Sequence, residues 1–267
     1  MPTLDENKKL WDGNYQWPNK GAEWSAGWGG ATMQWYGSIL PRIYSHIPTD
    51  SILEIACGYG RWTQFLKGMC QNLVVVDLSN ECIKASRQRF SECSHIKYHV
   101  NDGKSLNMIP DDSADFVFSF DSLVHADISV VGSYISQLHR ILKKEGAAFI
   151  HHSNLGEYQP TYSKIRKIPG LRKLLILLGI LEKNLHWRDP GVSAKAVEKL
   201  CEKYGLKCIS QEMVTWGTKS ALIDCLSTIV RSDSSLVRDN MVLRNSGFMQ
   251  EANYLHRLSY LYATGKK

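Results

Sequence analysis

Two glycines and their neighbours form the stretch of the sequence best suited to chemistry. Ile52 to Ala56 predicts a short buried strand, Gly58 and Gly60 predict a tight turn, and Trp62 to Lys67 predicts a helix that begins directly after the turn. Glycine in such a turn allows positive φ angles and a close approach of the backbone to a ligand, and the first turn of a helix has free N–H groups. This stretch therefore predicts a binding site for a small polar molecule.

Acidic residues after the next two predicted strands narrow the choice of molecule. A dinucleotide site normally has a third Gly or Ala three residues after Gly60, and because Thr63 stands there, NAD is disfavoured. Asp77 follows the second strand at about the 20-residue spacing at which a carboxylate meets the hydroxyl pair of a ribose. Asp102 follows the third strand. Either acid alone could simply cap the next helix, but their order and position predict that both contact one ligand.

Histidines near the ends of the fourth and fifth predicted strands are candidates for acid–base chemistry. Ligands of an open parallel sheet bind at the carboxyl ends of the strands, so His125, His151 and His152 should lie near one pocket. A histidine with a pKa of about 6.5 suits a general base, and a carboxylate such as Asp121 would orient its ring. Successive side chains of a strand face opposite sides, so one member of the histidine pair is structural. We predict that His152 is the general base, with His125 as the alternative.

Alternating strands and helices predict an α/β fold with a Rossmann-like, doubly wound, mostly parallel seven-stranded sheet. The 267 residues suit a single domain, 1–267, with an N-terminal arm at 1–36 and a helical insertion at 155–192 after the fifth strand. The predicted strands are 52–56, 73–76, 96–100, 114–120, 146–151, 206–214 and 219–227.

The N-terminal arm is rich in aromatic residues and glycine, in a spacing that fits neither a helix nor a strand. Tryptophan and tyrosine offer broad apolar faces with one polar group, which suits stacking on sugar rings or closing over a cofactor. Packing on the domain surface is the alternative. We expect Trp28 to touch a cofactor and Trp24 to touch an acceptor. The aromatic residues are Trp11, Tyr15, Trp17, Trp24, Trp28, Trp35 and Tyr36.

Composition excludes several classes of protein. Much of the net charge of +6 comes from one segment, Lys164 to Lys183, and without a broad basic face we expect no nucleic-acid partner. The seven cysteines include no Cys-x-x-Cys pair, so neither a zinc site nor a disulfide framework is expected, and no cluster of carboxylates predicts another metal. The first residues lack the apolar core of a signal peptide, and no apolar run reaches the roughly 20 residues of a membrane span. We therefore expect a soluble, cytoplasmic protein.

The insertion contains the basic segment Lys164–Lys183, whose apolar end, Leu174–Leu181, is too short to span a bilayer and too apolar to lie free in water. One hypothesis is that it folds as a lid helix or pairs with the same segment of a second subunit, which would give a homodimer. The other is a peripheral membrane contact through Lys and Arg side chains. Tyr158, Trp187 and Arg188 flank the segment, and we predict that they bind the acceptor.

These motifs together resemble class I S-adenosylmethionine (SAM)-dependent methyltransferases, and among them the sugar or glycan O-methyltransferases of bacterial surface-polysaccharide biosynthesis. The likeness covers about residues 11–154. Ala56 stands where the family's first motif usually has its first glycine. The residues that carry the likeness are Trp28-Gly29-Gly30, Leu53-Glu54-Ile55, Gly58-Tyr59-Gly60-Arg61-Trp62-Thr63, Asn101-Asp102-Gly103, the run from Phe118 to His125, and His151-His152-Ser153-Asn154.

The resemblance implies that the protein binds SAM, releases S-adenosylhomocysteine (SAH) and methylates a sugar or glycan hydroxyl with a histidine base. A methyltransferase that acts on nitrogen or oxygen of a non-sugar metabolite is the alternative, because it would share every SAM-binding residue. The implied cofactor-binding residues are Trp28, Glu54, Ala56, Cys57, Gly58, Gly60, Arg61, Asp77, Leu78, Asn101, Asp102, Gly103, Phe120 and Asp121.

Overall fold

A computed structural model describes residues 3–159, 187–216 and 221–263, together with Gly170, Leu174, Leu177 and Leu178. Apart from those four residues, the Lys164–Lys183 segment lies outside the described residues, so its predicted lid, dimer or membrane roles stay predictions. The strands are β1 (Thr49–Ile55), β2 (Cys70–Asp77), β3 (Ile96–Val100), β4 (Ala114–Ser119), β5 (Leu142–Ser153), β6 (Leu206–Val214), β7 (Asp224–Arg231) and β8 (Met241–Asn245).

These strands form one sheet in the order β3-β2-β1-β4-β5-β7-β6-β8. The strands β1 to β5 run parallel to one another, whereas β7 runs antiparallel to both β5 and β6. The predicted Rossmann-like, mostly parallel α/β fold is confirmed. The strand β8, which pairs in parallel with β6 at the edge of the sheet, was not predicted.

Three of the longer helices begin at a residue whose side chain caps the first turn. Ser79, Asp127 and Ser193 each accept a hydrogen bond from the backbone N–H three residues later, which satisfies one unpaired donor of the first turn. The helices are α1 (Leu4–Lys9), α2 (Ala31–Gln34), α3 (Leu40–Ile43), α4 (Thr63–Leu66), α5 (Asn80–Arg89), α6 (Ile128–Ile141), α7 (Ala194–Lys203) and α8 (Phe248–Leu261).

The helical stretch from Ala31 to Ile43 is interrupted. A π-helical turn at Trp35–Ile39 separates α2 from α3, and Pro41 is the second residue of α3. None of the helices in the described part of the chain is long and apolar enough to cross a membrane.

Two apolar layers cover the two faces of the sheet, because alternate residues of each strand face opposite sides. Ile52 of β1 and Phe116 of β4 belong to the layer that also contains the arm residue Trp28. Leu53 and Val117, their neighbours along the same strands, belong to the layer that packs against α6 and α7. The core therefore fixes the strands, and the loops after their carboxyl ends are free to form a site.

Candidate functional site

A cavity of about 560 Å³ lies at the carboxyl ends of β1, β2, β3 and β4, where the sequence predicts the ligand. Most of its lining comes from two parts of the chain, and Trp187, Arg188 and Trp216 are among the other lining residues. The strand-end loops contribute Ala56, Gly58, Asp77, Leu78, Gly103, Asp121, Ser122, Leu123 and His125, and the N-terminal arm contributes Leu4, Asn7, Leu10, Trp11, Tyr15, Trp17 and Trp24. The cavity has the size of a typical small-molecule or cofactor site.

The glycine turn after β1 takes the conformation for which glycine was predicted. Gly58 and Gly60 have φ angles of +56° and +80°, in the left-handed region. A Cβ on Gly58 would lie 2.8 Å from the ring of Trp17, which is itself stacked on Tyr59 with centroids 4.5 Å apart. The backbone of this turn is therefore open to close approach from the cavity side, and an arm residue lies directly against it.

Asp77 ends β2 and lines the cavity with a carboxylate that is already oriented. Its two oxygens accept the backbone N–H groups of Gly58, at 2.8 Å, and Ser79, at 2.9 Å. Burial raises the pKa of Asp77 to about 6, and the carboxylate of Asp12 in the arm contributes to the rise. Asp12 also accepts a 2.6 Å hydrogen bond from the hydroxyl of Ser79, so the arm is anchored beside this carboxylate.

His125 lies on the short helical turn after β4 and lines the cavity. Its Nδ1 is 3.3 Å from the carbonyl oxygen of Trp187, and because a carbonyl only accepts, Nδ1 carries the proton in the neutral ring. Burial, with the nearby Arg188 guanidinium, lowers the pKa of His125 below its usual value. At neutral pH the ring is therefore uncharged, and its Nε2 is a proton acceptor.

Asp121 and Arg61 form a charge pair at the cavity wall. Arg61 is buried, and its Nη2 lies 2.7 Å from Oδ2 of Asp121. Its guanidinium also lies over the rings of Trp24, at 5.3 Å, and Trp62, at 4.5 Å. Hydrogen-bonded pairing of this kind holds both side chains in fixed positions and neutralises the charge of Asp121 toward the cavity.

The histidine pair at the end of β5 is buried and does not line the cavity. The prediction that His152 reaches the pocket is wrong, because its Nδ1 lies 2.8 Å from the carbonyl of Ser153 and its Nε2 lies 2.8 Å from the hydroxyl of Ser227. Both ring nitrogens are thus engaged inside the protein. His151 lies behind Asp121, with Nδ1 3.1 Å from the Asp121 backbone nitrogen.

Several other predicted site residues lie outside the cavity lining. The prediction that Trp28 touches the ligand is wrong, because its ring is fully buried against Trp216 and Phe248. Asp102 is exposed and accepts hydrogen bonds from the backbone of Lys104 and Ser105. The remaining predicted residues outside the lining are Glu54, Cys57, Gly60, Arg61, Asn101, Phe120 and Tyr158.

Some of these residues support the lining without forming it. The Oδ1 of Asn101 accepts the N–H of Gly103, at 3.0 Å, and so holds the loop after β3. Glu54 accepts a 2.5 Å hydrogen bond from the hydroxyl of Thr63, and burial raises the pKa of Glu54 to about 8. Across the described residues, no group of three or more His, Cys, Asp or Glu side chains is arranged to hold a metal ion.

Residues 52–146 match the sequence model of a family described as "Methyltransferase domain". Nodulation protein S of Sinorhizobium fredii is 32% identical over 72 residues, which are 27% of this chain and 33% of that protein. The chain therefore spans about a third of the length of this curated relative.

Two solved structures share the fold at low sequence identity. The N-methyltransferase NodS from Bradyrhizobium japonicum is 16% identical with a TM-score of 0.50, over 74% of this chain and 95% of that one. Magnesium protoporphyrin IX methyltransferase from Synechocystis, with SAH bound, is 13% identical with a TM-score of 0.55, over 86% of this chain and 100% of that one. At these identities the likeness establishes the fold and leaves the acceptor open.

Proposed function

We propose that this chain, which carries a class I SAM-dependent methyltransferase domain, methylates a hydroxyl group of a sugar or glycan and uses His125 as the general base. The observation that carries the proposal is the neutral ring of His125 in the cavity wall, with its Nδ1 proton directed to the Trp187 carbonyl. Removal of the hydroxyl proton as the methyl group arrives requires a base of this type.

The residues of the cavity fit SAM. Asp77 presents a buried carboxylate with free lone pairs at the position where the family binds the ribose hydroxyls, and the positive φ of Gly58 leaves the backbone bare for a close contact. Leu78, Gly103 and Asp121 complete this part of the wall. When bound, SAM supplies a methyl group on a sulfonium, and the protein contributes orientation, exclusion of water and a base.

The part of the cavity around His125 suits a neutral acceptor with an apolar face. The ring of Trp187 lies 5.9 Å from His125, and the ring of Trp11 lies 6.4 Å from it. Of the charged groups that line this part of the cavity, Asp121 binds Arg61 and Arg188 binds Asp224, whereas the Asp127 carboxylate accepts hydrogen bonds from the Ser129 hydroxyl and the Val130 N–H. Aromatic faces beside a neutral base favour a sugar ring, whose C–H face stacks on tryptophan and whose hydroxyls are uncharged.

Transfer to an amine nitrogen is the second candidate, and it rests on the comparisons. The curated relative is named nodulation protein S, and one solved structure is named N-methyltransferase NodS. A neutral histidine could equally take the proton of an ammonium group before transfer. The two candidates share the cofactor site and differ in the acceptor atom.

The test is a screen of the purified protein with methyl-labelled SAM against neutral oligosaccharides, amino sugars and their N-acetylated forms. We expect label in the neutral oligosaccharides, and fragmentation mass spectrometry should place the methyl group on oxygen. Label confined to free amino sugars, on nitrogen, would replace the hydroxyl acceptor by the amine.

The base assignment is tested with His125→Asn, whose amide lies near the site of Nδ1 and can still donate to the Trp187 carbonyl but offers no basic nitrogen. We expect the turnover number to fall by about 10²–10⁴-fold, with SAH affinity nearly unchanged. His152→Ala is the matched control, because that ring is buried behind the wall. Full turnover in His125→Asn would exclude His125 as the base.

A further inference from the structure

Behind the cavity wall lies a buried ionic group that the proposed transfer does not use directly. Asp224, the first residue of β7, is fully buried, and its two carboxylate oxygens accept hydrogen bonds from Nε and Nη2 of Arg188, each at 2.6 Å. Burial alone would raise the pKa of Asp224, but the Arg188 guanidinium outweighs it and holds that pKa below its usual value. Asp224 is therefore a permanent buried anion, and Arg188 reaches from it to the cavity.

His151 connects this anion to the loop after β4. Its Nδ1 is 3.1 Å from the backbone nitrogen of Asp121, and because an amide N–H donates, Nδ1 is the acceptor. The neutral ring must then carry its proton on Nε2, which lies 3.6 Å from Oδ2 of Asp224. That distance is longer than a hydrogen bond, but the carboxylate still favours the tautomer with the proton on its side.

Asp121 has a backbone conformation that needs such support. Its φ angle is +63°, in the left-handed region that residues other than glycine seldom adopt. Such a conformation persists where surrounding contacts determine it. Two contacts do so here: His151 accepts the amide N–H, and Arg61 binds the carboxylate at 2.7 Å. As a result, the side chain of Asp121 lies in the cavity wall.

We propose that His151 is a positioning residue, which holds the amide of Asp121 and so keeps the Asp121 carboxylate in the wall of the SAM site, and that Asp224 fixes the ring tautomer this requires. The three residues stand at the ends of neighbouring strands, since Ser153 of β5 pairs with Asp224 of β7 and β5 pairs with β4. The inference rests on the cofactor site of the proposed function and is independent of the acceptor.

Two near-isosteric substitutions of His151 each keep only one of the two contacts that its ring makes, with the Asp121 amide and with Asp224. Asn at position 151 places an amide oxygen near the site of Nδ1 and keeps an acceptor for Asp121, whereas Gln places its amide near Nε2 and keeps only the contact with Asp224. We expect His151→Asn to bind SAH within about twofold of the wild type and His151→Gln to bind about three- to tenfold more weakly by calorimetry. Equal affinities in the two variants would overturn the proposal.

A double-mutant cycle shows whether His151 acts through Asp121. If it does, His151→Gln should weaken SAH binding in the wild type but have little further effect in an Asp121→Ala background. Additive losses would mean that His151 acts only on general stability and would also overturn the proposal. If His151→Gln does not fold, Asp224→Asn replaces it and is measured in the wild type and in Asp121→Ala. The same two outcomes then support or overturn the proposal. These measurements need only SAH. If the acceptor screen yields no product, the proposed acceptor fails, but the binding results still decide the role of His151.

Discussion

We predict that the carboxylate of Asp77 makes cofactor affinity depend on pH. Because the ribose hydroxyls donate hydrogen bonds, the bound state favours the ionised carboxylate, whereas burial in the free protein raises the pKa of Asp77 to about 6. Affinity should therefore be constant above this pKa and fall as the pH drops through it. At pH 5 only about a tenth of the free protein is ionised at Asp77, so the SAH dissociation constant should rise about tenfold relative to pH 7.5.

Calorimetric titration with SAH between pH 5 and pH 7.5 measures this dependence, and two variants assign it. Asp77→Asn removes the titrating group; its amide cannot accept the N–H groups of both Gly58 and Ser79, so we expect affinity about 10–100-fold weaker and a flat profile. Asp12→Asn removes a neighbouring charge that raises the pKa of Asp77, so its profile should move toward lower pH. A flat wild-type profile, or the same slope in Asp77→Asn, would refute the reasoning.

Two further substitutions test the placement of residues around the cavity. Gly58→Val puts a Cβ 2.8 Å from the Trp17 ring at a φ of +56°, so we expect SAH affinity to fall by about tenfold or more in calorimetry, whereas Gly13→Ala, with open space around it, should bind normally. His152→Ala removes the hydrogen bond between the ring and the Ser227 hydroxyl and opens a cavity, so we expect the free energy of unfolding to fall by about 2–4 kcal/mol in denaturant titration. Its turnover number should stay close to that of the wild type, and a loss of 10²-fold would return His152 to the active site.

The sequence predicted that Gly58 and Asp77 lie together at the cavity because local signals place both residues. A strand, a glycine turn and a helix occupy consecutive residues, and Asp77 follows the next strand at the expected distance, so the positions of Gly58 and Asp77 follow from spacing alone. The identity of the base did not follow. Alternation showed that one residue of the pair His151 and His152 faces away from the pocket, but not that both would be buried beneath the loop that carries His125.

The arm and the buried network could not be derived from the sequence because both depend on tertiary contacts. The aromatic arm was predicted to touch either the ligand or the domain surface, and its rings divide between two places: Trp11 and Trp24 line the cavity, whereas Trp28 packs in the core. Nothing in the local sequence distinguishes these rings. Asp224 lies on a strand that reaches His151 only by antiparallel pairing with β5, and no motif indicates that register.

Only part of the cavity wall belongs to the matched methyltransferase domain, and this affects which acceptor we expect. The matched domain, residues 52–146, supplies Gly58, Asp77 and His125, that is, residues of the proposed cofactor site and the proposed base. The aromatic walls around His125 come from Trp11 and Trp187, which lie outside the matched range. Since binding of the acceptor depends on those walls, a match to the domain constrains the reaction and leaves the acceptor unconstrained. The aromatic rings around His125 belong to this chain's own acceptor site, whereas the N-methyltransferase structure shares only the fold. For this reason we favour a hydroxyl acceptor over an amine.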